Sequence, residues 1–202
     1  MSAHAGRKAV FLDKDGTLVE NVPYSVDPAR LRLVSGAGEA LRLLRDAGFV
    51  FFVVSNQSGV ARGLYDEEAL EPVRLRLEEL LAGQGVQLAD VYFCPHHPQG
   101  VRRDYAVECL CRKPMPGMLQ RAAGEHDVDL GRSWLIGDTL DDVEAGVRAG
   151  CRTVLLDGGE TEWRMSEMRL PHHVAESMGE AARLILEDEH VLDWRRRLVA
   201  AR

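Results

Sequence analysis

Five short stretches of this chain are apolar at nearly every position: Lys8–Leu12 ("KAVFL"), Phe49–Ser55 ("FVFFVVS"), Asp90–Phe93 ("DVYF"), Ser133–Gly137 ("SWLIG") and Arg152–Leu156 ("RTVLL"). Read as strands, such runs have no wet face. They need cover on both sides, as in a parallel sheet sandwiched between helices. The intervening segments supply that cover. "GEALRLLRDAG" (Gly38–Gly48) places Ala40, Leu41, Leu44 and Ala47 on one helical face, with Gly48 positioned to end the helix. "PGMLQRAAGEHD" (Pro116–Asp127) and "TLDDVEAGVRAG" (Thr139–Gly150) repeat the arrangement before the fourth and fifth strands.

The pattern predicts an α/β class, a Rossmann-like parallel sheet with helices on both faces. Asp66–Ala82 reads as a further helix, with Pro72 either in its first turn or kinking it. Another is expected over Met178–Glu187, followed by a basic tail from about residue 188 to 202. With 202 residues, 46 % of them hydrophobic, the chain suits one well-buried core, so residues 1–202 are expected to form a single domain. No apolar run reaches the roughly 18 residues of a membrane span, and the first residues lack the long apolar stretch of a secretory signal. A soluble, cytoplasmic protein with no membrane partner is expected. The net charge of −7 argues against nucleic-acid binding, which rests on a basic surface. An anionic ligand would therefore have to be attracted locally.

Four motifs stand where a ligand would bind, at the carboxyl ends of the strands of an open parallel sheet. "VFLDKDGT" ends a strand in Asp13, with Asp15, Gly16 and Thr17 beyond it. "WLIGDTLDD" ends another in Asp138, followed by Asp141 and Asp142, one of which is also placed to cap the next helix. So many carboxylates at adjacent strand ends repel one another unless a cation sits among them, and hard oxygen donors beside a phosphate suit Mg²⁺. "VVSNQSG" offers Ser55 and Asn56, followed by Gln57 and Ser58, whose turn amides suit phosphate oxygens. "CRKP" offers Lys113, a charge for a transferred phosphoryl group.

The sulfur is concentrated elsewhere. Cys94-Pro-His96 and Cys109-Leu-Cys111 form two short hooks, four soft ligands in all, the number that closes a tetrahedral Zn²⁺ site. His97 is the rival of His96. With no open position for water, the zinc is read as structural, folding the loop over 94–111 that a compact domain would otherwise have to explain. Cys151, at the start of a strand, reads as a small core residue.

In this order the motifs resemble the haloacid dehalogenase superfamily of phosphotransferases, over roughly Lys8–Leu156. The resemblance implies that Asp13 is the nucleophile and Asp15 the acid and then the base. It implies Mg²⁺ held by Asp13, the backbone carbonyl of Asp15 and Asp138, with Ser55 and Lys113 stabilising the phosphoryl group. "NQSGVARG", "CPHHPQG" and "CLCRKPMPGML" narrow the likeness to the D-glycero-D-manno-heptose 1,7-bisphosphate 7-phosphatase family.

That family likeness makes Cys94, His96, Cys109 and Cys111 the zinc ligands and Arg112 a substrate contact. It places Asn21–Tyr24 at the sugar, and Asn56, Gln57, Ser58 and Thr139 around the substrate. It also implies a small phosphorylated sugar as substrate; few residues separate Ser55 from the third strand, which leaves no room there for a large cap domain, and a monomer is expected. Histidinol-phosphate phosphatases share the zinc loop and are the nearest rival, while a non-catalytic zinc-dependent binding protein is the rival of another class. A dinucleotide fold fails because Leu41 stands where the third glycine of a fingerprint beginning at Gly36 would fall. Two departures from the family pattern are Lys14, where an Arg is usual, and Thr139, where a Lys is frequent.

Overall fold

The computed structural model of the chain describes residues 6–157 and 166–200, with side chains described through Val191. Six parallel strands form one sheet: β1 (Ala9–Leu12), β2 (Val50–Asn56), β3 (Leu88–Cys94), β4 (Trp134–Gly137), β5 (Arg152–Leu156) and β6 (His173–Ala175), in the spatial order β3-β2-β1-β4-β5-β6. The five expected strands are present within two residues at each end. The added edge strand, β6, pairs Val154 with His173 and Leu156 with Ala175.

Because successive side chains in a strand point to opposite faces, β1 alone feeds two cores. Val10 and Leu12 pack with Leu41 and Leu44 of α1 (Ala37–Asp46), Val73 and Leu77 of α2 (Leu70–Ala82), and Ala181 and Ile185 of α5 (Met178–Ala200). Ala9 and Phe11 face the other way, toward Met118, Leu119 and Ala122 of α3 (Gly117–His126) and Ala145 of α4 (Leu140–Ala149). Pro72 occupies the first turn of α2, where no intrahelical N–H is needed. The final helix extends well past the expected Glu187 to Ala200; the basic side chains Arg195, Arg196 and Arg197 lie outside the described ones.

The connection from Ser55 to β3 carries a three-residue 3-10 turn at Glu67–Ala69 and α2, so it holds no cap domain. The chain runs from β1 outward through β2 to β3, then crosses back to β4 on the other side of β1. That reversal opens a crevice above the carboxyl ends of β1 and β4, which pair from Val10↔Trp134 to Leu12↔Ile136. Asp13 and Asp138 leave the sheet there side by side.

Candidate active site

Asp13 follows β1 directly, and its amide bonds the carbonyl of Ile136 in β4 at 2.9 Å, extending the sheet by one residue. The carboxylate is almost wholly buried. Burial pushes Asp13 up to about 7 against the pull of Lys113, with Asp142 and Asp138 adding repulsion. Burial first, then Asp142, likewise pushes Asp138 up to about 6. Carboxyl oxygens of Asp13, Asp138 and Asp142 all lie within 4.8 Å of one another. Without a divalent ion this cluster can be ionised only at electrostatic cost, and its donors are the hard oxygens Mg²⁺ prefers. Gly16 leaves the room: its φ is +84°, and a Cβ there would stand 2.2 Å from Asp138 Oδ2. The chemistry of the donor set therefore fits the expected ion.

Lys113 arrives from the far side, at the end of the cysteine loop. Its ammonium is buried and donates to Asp13 Oδ1 at 2.5 Å, to Asp142 Oδ1 at 2.5 Å and to the Val54 carbonyl at 2.9 Å. Burial pulls its pKa down, but the two carboxylates outweigh burial and raise it, so the charge is permanent. Asp142 resolves the ambiguity of the Asp pair. Its Oδ2 accepts from the amide and hydroxyl of Thr139, completing a capping box on α4, while Oδ1 holds Lys113. Both of its oxygens are thus engaged, whereas Asp141 pairs with Arg169 on the rim.

Around Asp15 the side chains are interlocked. Its Oδ1 accepts from the ammonium of Lys14, a residue only 1 % exposed, and its Oδ2 from Gln57 Nε2 at 3.2 Å. Gln57 Nε2 also donates to Ser55 Oγ at 2.9 Å, and Tyr65 donates its hydroxyl to Gln57 Oε1 at 2.9 Å. Neither Tyr65 nor the part played by Lys14 was legible in the motifs. The amide and carbonyl groups of Asn56 bond the carbonyl and N–H of Lys113, each at 3.0 Å, and fasten the loop to β2. Ser58 is half-buried in the turn after β2. Thr17 has a buried hydroxyl with no hydrogen-bond partner among the described residues.

Cys94 at the end of β3 meets His96, Cys109 and Cys111, with all four ligand atoms within 4.8 Å. The Sγ–Sγ distances are 3.5 Å for Cys94–Cys109, 3.0 Å for Cys109–Cys111 and 3.1 Å for Cys94–Cys111. These are far beyond a disulfide bond and approach the edge, roughly 3.8 Å, of a tetrahedron with zinc–sulfur bonds of about 2.3 Å. His96 presents Nδ1 to Cys111 at 3.4 Å, whereas His97 faces Arg62 and accepts from the Gln99 amide, so His96 is the residue the fold brings to the sulfurs. Hydrogen bonding from Cys94 pulls Cys111 down to about 5 and the same contact pushes Cys94 up. Three thiols and an imidazole gathered this closely suit a cation that would hold every thiol as thiolate. Cys151 is buried in the core beneath β5, as expected.

Two clefts open on the site and share Asp141 at their rim. One, of about 730 Å³, is lined by Gly16, Thr17, Asp138, Thr139 and Arg169. The other, of about 500 Å³, is lined by Leu110, Arg112, Lys113 and Met115, and Arg112 donates to the His96 carbonyl at 3.2 Å. Thr139 is exposed as a helix cap. Asn21 is exposed, and Tyr24 is 52 % exposed with φ at +54°, an uncommon conformation for a residue of its size.

Comparison with known proteins agrees with this geometry. A family model described as HAD-hydrolase-like matches residues 110–181. The D-glycero-beta-D-manno-heptose-1,7-bisphosphate 7-phosphatase of Yersinia pestis is 38 % identical over 148 residues, 73 % of this chain and 79 % of that protein. The enzyme of the same name from Rhodopseudomonas palustris is 40 % identical over 163 residues, covering 80 % and 91 %. Among solved structures, a D,D-heptose 1,7-bisphosphate phosphatase from B. bronchiseptica, complexed with magnesium and phosphate, superposes with a TM-score of 0.76 at 30 % identity, over 90 % of this chain and 99 % of that one. Fold, motif order and relatives converge: the chain belongs to the haloacid dehalogenase-like D-glycero-D-manno-heptose 1,7-bisphosphate 7-phosphatase family.

Proposed function

We propose that this protein is a Mg²⁺-dependent phosphatase that removes the C7 phosphate of D-glycero-D-manno-heptose 1,7-bisphosphate and releases heptose 1-phosphate. The observation that carries the reading is the buried Asp13 carboxylate, held by Lys113 at the end of β1 beside Asp138. Asp13 attacks phosphorus and the bond to O7 breaks. Asp15 gives its proton to O7, then as a carboxylate takes one from the water that attacks phosphorus and frees Asp13. Lys113 holds Asp13 in position and, with Ser55, offsets charge on the phosphoryl oxygens. Asp13, Asp138 and the carbonyl of Asp15 would hold Mg²⁺, which supplies positive charge to the phosphoryl group when bound.

Arg112, in the cleft next to Lys113, is suited to the second phosphate, since its planar fork can engage phosphate bidentately. Asn21, Tyr24, Gln57, Ser58 and Thr139 border the sugar in this reading. Cys94, His96, Cys109 and Cys111 hold a structural zinc. Thiols kept for metal belong to a reducing compartment, so we place the protein in the cytoplasm, acting as a monomer. None of the described helices is long and apolar enough to cross a membrane.

The test is phosphate release, with Mg²⁺, from the α and β anomers of the heptose bisphosphate and from histidinol phosphate. The relatives named for the β anomer favour it. A kcat/KM on one heptose anomer at least about a hundredfold above the other substrates, roughly 2.7 kcal/mol of transition-state discrimination, is the expected result. Preference for histidinol phosphate, or uniform slow turnover, would sink the substrate assignment.

A further inference from the structure

The side chain that must deliver a proton in this reaction is held by Gln57, and Gln57 is held in turn by Tyr65, which has no part in the substrate reading above. We infer that Tyr65 is a positioning residue for Asp15, acting through Gln57, and that it governs protonation of the leaving group. The inference rests on the phosphatase reading given above.

Gln57 is buried and its side-chain amide lies between three groups: Asp15 Oδ2, Ser55 Oγ and the Tyr65 hydroxyl. An amide has two faces of opposite polarity, and only the NH₂ end can face a carboxylate favourably. The Tyr65 hydroxyl, donating to Oε1, fixes that choice from behind. Burial, then the charge on Asp15, pushes the phenol up to about 12, so it remains a donor throughout the neutral range. The ring is itself fixed: Gly59 packs against it so closely that a Cβ would stand 2.2 Å from Cε1 and 2.6 Å from the hydroxyl oxygen. With Lys14 on Oδ1 and Gln57 on Oδ2, both oxygens of the Asp15 carboxylate are oriented by donors.

The role has a signature that loss of fold lacks. An alkoxide must be protonated as it leaves phosphorus, whereas p-nitrophenolate departs without a proton. The kcat/KM value reports every step through departure of the leaving group, so an alkyl and an aryl phosphate separate proton delivery from nucleophilic attack. Tyr65→Phe keeps the ring against Gly59 and removes one hydrogen bond. It should lower kcat/KM about tenfold for heptose bisphosphate or another alkyl phosphate, and less than about threefold for p-nitrophenyl phosphate. Gln57→Met, which keeps the length of the side chain and removes both of its polar ends, should widen the gap to about a hundredfold when the alkyl substrate is a simple alkyl phosphate with no sugar for Gln57 to contact. Equal losses on the two substrates in both variants, or no loss on the alkyl phosphate, would overturn the positioning role. A wild type that turns over alkyl phosphates generally, with no preference for the heptose, removes only the substrate assigned above. A wild type inactive on every alkyl and aryl phosphate removes the reaction, and this role with it.

Discussion

Two of the clusters suited to a metal among the described residues flank Lys113, and they are built in opposite ways. The carboxylate cluster gathers Asp13, Asp138 and Asp142 from the ends of β1 and β4 and the start of α4, elements already placed by the packed sheet. The thiol cluster gathers Cys94, His96, Cys109 and Cys111 from one long loop and the strand leading into it, where there is little regular structure to position anything. In the first, the fold makes the site and leaves it short of positive charge, so an exchangeable cation and a phosphate are welcome. In the second, four donors close on one another, and with the zinc proposed above the site would make the fold. Lys113 joins them, since it belongs to the loop by its backbone and to the carboxylates by its ammonium.

The sharpest break in that contrast is Asp13→Asn. It should lower kcat on the order of 10⁴-fold or more, because the nucleophile is gone. The melting temperature should move by no more than about 3 °C, because the sheet that places residue 13 does not depend on its charge. A large loss of stability would show that the carboxylates hold the fold after all.

Cys109→Ser should do the reverse. Bound zinc is expected to fall from about one per chain to a small fraction of that, and the melting temperature by about 10 °C. Activity should fall with it as Lys113 loses its anchor. A variant lacking zinc but with unchanged melting would show that the loop holds itself.

The mildest test sharpens the electrostatic side. Asp13 and Asp138 have folded-state pKa values raised above those of the unfolded chain, to about 7 and about 6. Between about pH 4 and 7 the folded, metal-free protein therefore binds more protons than the unfolded one, and these two groups make it less stable as pH rises. Mg²⁺, binding the ionised carboxylates, should raise the melting temperature by several degrees at pH 7.5 and by little at pH 5. A shift independent of pH would mean that the ion does not sit on these residues.

Much of this contrast was legible in the chain itself. Continuous apolar strands announced a covered parallel sheet, and the placement of Asp13 and Asp138 immediately after two of them located the crevice. The hooks at Cys94-Pro-His96 and Cys109-Leu-Cys111 announced the second cluster. What escaped was whatever depended on side chains meeting across the fold. The Asp141–Asp142 pair could not be resolved, since a helix cap and a lysine partner ask for the same residue type; one side chain does both. The place of Asn56 after a strand pointed to a ligand, and gave no sign that its side chain also clasps the backbone of Lys113. Tyr65 sits in a loop with no periodicity to mark it. Strand β6 is only three residues long, and α5 runs on through Asp188 and His190, where an apolar period gives no guide.

The Asn56 clasp also bears on the order in which the molecule assembles. Asp13 and Lys113 meet across a sequence separation of 100 residues, and the clasp spans 57. Contacts that close such long loops form after the local ones that make them possible. Until residues 94–113 are drawn onto β2, the carboxylates at the strand ends have no buried ammonium among them. A refolding chain therefore recovers its sheet before its chemistry.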